Sequence, residues 1–221
     1  MLGSLLERYR RRRFAWLFGA LLATLGAQPV LETFGSDGNV FELLVGVSLC
    51  VAALGLAREP GMRWLVAAAA ALVAVQGIQA VLGAAPAQTA GALLWPAGFA
   101  LAATASVRHA FASGRVDGER IFAALDAYLL VAILFGVGYR AIDRWRPGSF
   151  AGDVGADGLG LQDAVYLSFV TIASLGYGDL VPKSAAARGL VIVEAVGGQM
   201  YIAVLLARLV SLYAREREPR A

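Results

Sequence analysis

Between Tyr166 and Asp179 the chain reads Tyr-Leu-Ser-Phe-Val-Thr-Ile-Ala-Ser-Leu-Gly-Tyr-Gly-Asp, and its last six residues hold the most specific chemistry in the sequence. Gly176 and Gly178 lack a Cβ, so their backbone enters positive φ without steric cost. Ser174 contributes a hydroxyl oxygen and Asp179 a carboxylate. Oxygen donors on a backbone free to take unusual dihedral angles suit a cation better than a covalent reaction. Catalytic equipment is scarce elsewhere. Cys50, His109 and Lys183 are each the single residue of their type. No intrachain disulfide, zinc cluster or Ser/His/Asp triad has a place, and neither an enzyme nor an organic cofactor is expected. A bare Gly-Tyr-Gly also fits any tight turn, so the surrounding elements decide.

Those elements are apolar. The chain is 59% hydrophobic and 16% charged, with a mean hydropathy of +0.67; a soluble domain carries about 25% charged residues. An integral membrane protein is the expected class. The net charge of +3 and pI near 9.3 do not point to nucleic acid, because the arginines flank apolar runs. Six runs approach the length of a spanning helix: 14–31, 40–57, 64–82, 92–112, 121–141 and 185–213. Turn signals separate the first four, at 35–39, 58–61 and around Pro86. Between the last two lies the apolar piece Ala164 to Ala173, at about ten residues too short to cross and suited to a re-entrant helix. Asp163 is its expected N-cap or first-turn residue. Cations recur in alternate loops, which puts both termini in the cytoplasm. The fifth loop departs from this with Arg140, Arg144 and Arg146, beside Asp143, Asp153 and Asp157. The arginines before Phe14 also fit the positive start of a signal peptide; retention as a first span is expected.

The segment Ser174 to Asp179 resembles the selectivity filter of potassium channels, written Thr-Val-Gly-Tyr-Gly in that family. Gly176-Tyr177-Gly178-Asp179 matches directly; Ser174 replaces threonine and keeps the hydroxyl, and Leu175 replaces valine. The resemblance implies an all-α membrane protein with six transmembrane helices, a re-entrant pore helix and a tetrameric pore. It implies potassium ions held by carbonyls of Ser174, Leu175, Gly176 and Tyr177, with Gly178 completing the filter. Tyr177 is expected to point away from the axis and brace the filter. Asp179 is expected at the outer mouth, concentrating cations. Ala185 to Tyr213 resembles the pore-lining inner helix, with Arg188 at a familiar position and Gly197 and Gly198 as a gating hinge or, alternatively, a close-packing site. Ala203, Leu206 and Val210 are candidates for an apolar constriction, and Gln199 for the cavity wall. Glu194, an acid inside a span, is expected to be functional or paired. The expectation is a hydrogen bond to Ser168 or Thr171 on the pore helix, supporting the filter.

The division falls near residue 115. Residues 1–115 form a four-helix domain that resembles a voltage-sensor domain only in topology. Its fourth run carries Arg108 and His109 where voltage-gated relatives repeat arginines, and steep gating needs 3–4 charges per subunit. Trp95-Pro96 is a candidate kink. Residues 116–221 form the pore domain: outer helix, pore helix 163–173, filter 174–179 and inner helix 185–213. The expected function is a potassium-selective channel subunit, not steeply voltage-gated, working as a homotetramer among membrane lipids. A weakly selective cation channel and a non-conducting regulatory subunit are the alternatives. Low lysine with abundant arginine and alanine suggests a bacterial inner membrane.

Overall fold

The computed structural model describes residues 12–27, 38–56, 91–112, 117–155 and 158–217. Six helices and two short strands follow in order: α1 Arg13–Gly26, α2 Gly38–Leu56, α3 Gly91–Ala110, α4 Gly118–Trp145, β1 Phe150–Gly152, α5 Leu161–Ile172, β2 Leu180–Pro182 and α6 Ala185–Arg217. The fold is mostly helical. The small ribbon of β1 and β2 was not expected from an all-α reading. It pairs antiparallel, Phe150 with Pro182, Ala151 with Val181 and Gly152 with Leu180. Gly152 has φ +117, and a Cβ there would stand 1.8 Å from the Asp179 carbonyl oxygen. Only glycine permits that approach.

Several boundaries differ from expectation. α4 begins at Gly118 because the Asp117 carboxylate accepts from the Arg120 amide at 3.0 Å, an N-cap that the hydropathy pattern does not display. It also runs on to Trp145, so Arg140, Asp143 and Arg144 are helical rather than in a fifth loop. Arg140 pairs with Glu42 on α2. The buried Asp143 carboxylate accepts from the backbone amides of Ser149 at 3.1 Å and Leu159 at 2.9 Å. It therefore fastens the segment leading into α5. That helix starts at Leu161, earlier than 163, with Gly160 as N-cap and Asp163 in the first turn. α6 continues past Tyr213 to Arg217.

Two helices are long and apolar enough to cross a membrane, α4 and residues Ala185–Ser211 of α6. α1 has 14 residues; at 1.5 Å each this is about 21 Å, short of a ~30 Å hydrocarbon core. The apolar part of α2 spans Val40–Ala52. The expected third crossing, 64–82, lies outside the described residues, as do Asp157 and Pro86. Pro96 lies inside α3, and the helix continues through it.

One core joins α1 to α5. Leu21, Phe41, Val45, Phe99, Ile133 and Val165 are all buried within it. Where lipid is as apolar as leucine, small residues and close packing hold helices together. A Cβ on Gly136 would lie 2.8 Å from Val165 Cα, so this glycine lets α5 sit against α4. A second cluster, including Tyr139, Phe150, Leu180 and Ala187, underlies the ribbon. A third ties α6 to the N-terminal helices: Leu205 packs among Phe14, Ala110 and Ala123. Nearby, the Tyr201 hydroxyl donates to the Ala124 carbonyl at 2.7 Å, and Arg208 donates to the Ala112 carbonyl at 2.8 Å.

Candidate functional site

α5 ends where the glycine segment begins, and the segment closes the helix. Ser174 N donates to Thr171 O at 2.9 Å, Leu175 N to Val170 O at 2.8 Å and Gly176 N to the same oxygen at 3.3 Å. The last-turn carbonyls of α5 are thus satisfied by the residues that follow. Beyond this point the backbone alternates. Ser174, Gly176 and Gly178 have φ of 58, 61 and 82, while Leu175 and Tyr177 stay at negative φ. In a strand successive carbonyls face opposite ways. Alternation in the sign of φ instead turns them toward a common side. Among the described residues, no group donates a hydrogen bond to the carbonyls of Ser174 to Gly178. Ser174 is the one non-glycine described residue at positive φ, a conformation that costs a residue with a Cβ roughly 1–2 kcal/mol.

The inner end of the segment is held from α6. Gln199 Nε2 lies 2.9 Å from Ser174 Oγ and 3.2 Å from Ile172 O. Its neighbour Gly198 is buried against α5, where a Cβ would stand 2.3 Å from Ile172 Cγ1. Gly197 meets nothing within 4 Å. The two glycines expected together as a hinge therefore occupy different environments, and Gly198 has the packing role.

The outer end is held by Asp179. Its Oδ2 accepts from the Tyr166 hydroxyl at 2.6 Å and its Oδ1 from the Leu180 amide at 3.0 Å. The Tyr166 bond holds the Asp179 carboxyl below its ordinary 3.8, against a smaller desolvation effect. A carboxylate at this position would attract cations. Tyr166 opens the stretch singled out by sequence, but nothing there shows which face of α5 it takes. Tyr177, expected to brace the segment, is 68% exposed within its own chain, and Leu175 is 55% exposed. Arg188 Nε reaches the Pro182 carbonyl at 3.4 Å, beside the ribbon.

Behind α5, Glu194 is buried, with Oε1 in hydrogen-bond contact with Ser168 Oγ and Oε2 accepting from the Tyr139 hydroxyl. Ser168 is one of the two partners expected. Thr171 instead interacts with the Tyr139 hydroxyl. Tyr139, on α4, is the member sequence reasoning missed; the three side chains join α4, α5 and α6. Ala203, Leu206 and Val210 lie on the exposed part of α6. Among the described residues no cluster of His, Cys, Asp or Glu could hold a metal ion. A carbonyl-lined cation site needs no such cluster.

Residues 127–215 match the ion channel family. Over 98 residues the chain is 36% identical to the inward rectifier potassium channel Kirbac3.1 of Paramagnetospirillum magnetotacticum, covering 42% of this chain and 28% of that protein. Over 59 residues it is 37% identical to two-pore potassium channel 1 of Arabidopsis thaliana, covering 27% of this chain and 16% of that one. The chain is a membrane protein whose residues 127–215 are similar to ion channels, and both of these relatives are potassium channels. The matched segment comprises α4 from Ala127 onward, α5, the glycine segment and nearly all of α6. The chain spans less than a third of the length of these two relatives. No solved structure matches it.

Proposed function

We propose that the chain is one subunit of a homotetrameric channel that conducts potassium passively through rings of carbonyls from Ser174, Leu175, Gly176 and Tyr177. The observation that carries this reading is the alternating backbone of Ser174 to Gly178, with carbonyls that no donor in the described chain satisfies. Four copies around one axis supply the oxygens that replace a cation's hydration shell, and closed cyclic symmetry is the common way to assemble them. The potassium-channel names of both relatives support potassium as the permeant ion. α4 is the outer helix, α5 the pore helix and α6 the inner helix. Asp179 guards the outer mouth. Glu194 braces α5 from behind through Ser168, and Thr171 of α5 meets Tyr139 of α4. The six apolar runs support a six-crossing topology, the alternating cations support cytoplasmic termini, and low lysine with abundant arginine and alanine supports a bacterial inner membrane. Residues 1–115 serve as a structural domain. α3 offers Arg108 and His109 as its basic residues, too few for steep voltage gating.

The test is ion flux into liposomes that hold the purified protein. Potassium flux without sodium flux, blocked by barium and lost in Gly176→Ala, is the expected result. Equal flux of both ions replaces this reading with a weakly selective cation channel. No flux under any gradient or voltage, with assembled protein in the bilayer, replaces it with a non-conducting regulatory subunit.

A further inference from the structure

The contact between Gln199 and Ser174 has a fixed polarity. The Ile172 carbonyl can only accept, so the end of the Gln199 side chain that faces it is the NH2 group. The same nitrogen lies 2.9 Å from Ser174 Oγ, so the hydroxyl is the acceptor in that bond. One lone pair of Ser174 Oγ is thereby occupied, and the positive end of an amide dipole stands beside it. A bare cation coordinated by this oxygen meets both effects as opposition.

The placement of the amide is not free. Gly198 lets α6 approach until a Cβ would overlap the Ile172 side chain, and Gln199 is the next residue. Ser174, at φ 58, is itself held by the hydrogen bond that its backbone N–H donates to Thr171 O. Donor and acceptor are each fixed by their own element, α6 and the end of α5.

We propose that Gln199 is a specificity-determining residue that weakens the binding of bare cations at the innermost site, the one built from Ser174 hydroxyls. It does so by holding each hydroxyl as an acceptor, and it thereby links the strength of that site to the position of the inner helix. This rests on the channel reading above. The amide is not an ion ligand; it acts through Ser174.

Calorimetric titration of the purified full-length protein with barium and with potassium chloride tests this without requiring an open pore. Barium, a divalent ion of potassium's size, reports a strongly coordinating site. Gln199→Leu removes the donor and is expected to tighten barium binding roughly fivefold, the scale of one neutral hydrogen bond. Gln199→Met keeps the length of the side chain without the donor, and is expected to do the same if the leucine variant fails to assemble. In a Ser174→Ala background the effect of either substitution is expected to vanish. Barium affinity that is unchanged or weaker in the Gln199 variants, with wild-type binding intact, overturns this inference and leaves the channel reading standing. A wild-type protein that binds neither ion overturns the channel reading and this inference with it.

Discussion

The Ser168 hydroxyl carries one proton and has two acceptors in reach, the Ala132 carbonyl at 2.6 Å and Glu194 Oε1. The carbonyl can only accept. Both contacts are hydrogen bonds at once only if the proton in the second comes from Glu194, which then donates to Ser168 while its other oxygen accepts from Tyr139. A neutral acid is also what an apolar span accommodates most cheaply. Glutamine reproduces that pattern, NH2 toward Ser168 and carbonyl toward Tyr139. Glu194→Gln is therefore expected to keep thermal stability within about 0.5 kcal/mol of the parent. Glu194→Leu, which strands the Tyr139 hydroxyl, is expected to cost about 1–3 kcal/mol. Melting of the detergent-purified protein measures both; a glutamine variant that melts as low as the leucine variant means Glu194 acts as an anion. Sequence showed half of this arrangement. An acid inside a span needs a partner, and Ser168 lies on the neighbouring apolar segment. Tyr139 was not legible, because it lies 55 residues from Glu194 and meets it only once α4 and α6 have packed.

At the scale of elements, the legible features were those with strong local signatures. Long apolar runs gave α4 and α6, and the short run before the glycines gave α5. Helix ends were less legible, because caps depend on single residues: Asp117 starts α4 four positions before the apolar run does. The ribbon was invisible, since strands of three residues carry no pattern, and its pairing is allowed by one glycine, Gly152, far along the chain from Asp179. The two glycines of α6 show what sequence cannot resolve. Adjacent in the chain, they read alike, yet helical geometry points them about 100° apart. A Cβ on Gly198 meets Ile172 at 2.3 Å, while one on Gly197 meets nothing within 4 Å. Gly198→Ala is expected to force α6 away from α5 and to cost about 1–3 kcal/mol by overpacking. Gly197→Ala is expected to be neutral or stabilising by up to ~1 kcal/mol within one chain, from helix propensity alone. Thermal melting of the two variants side by side decides the matter; equal effects contradict the assignment of Gly198 to packing.

For the whole molecule, the question is what covers α6. One side of this helix faces its own chain: Glu194 is 1% exposed, and Gly198 and Leu205 lie further along the same side. The rest is bare. Ile192 is 63% exposed, Met200 62% and Val210 68%. Lipid can cover apolar side chains, so this exposure alone settles nothing. The glycine segment is different. Lipid cannot satisfy the carbonyls of Ser174 to Gly178, and irregular backbone at membrane depth is tolerated only where it is buried in protein or lines a wet cavity. The described residues of one chain provide neither, while Tyr177 stands out beside those carbonyls, 68% exposed. In the proposed tetramer, other copies of the chain would meet both needs at once: their α6 helices would cover the apolar sides, and their glycine segments would close a cavity holding water and cations. Native mass spectrometry of the detergent-solubilised protein is expected to show a species at four times the chain mass of 23.1 kDa. Val196→Arg places a charge on the exposed side of α6, where Val196 is 55% exposed, and is expected to disperse that species into smaller ones. A parent protein that runs as a monomer, with the Val196→Arg variant indistinguishable from it, removes the assembly and leaves the carbonyls of the glycine segment without a physical explanation.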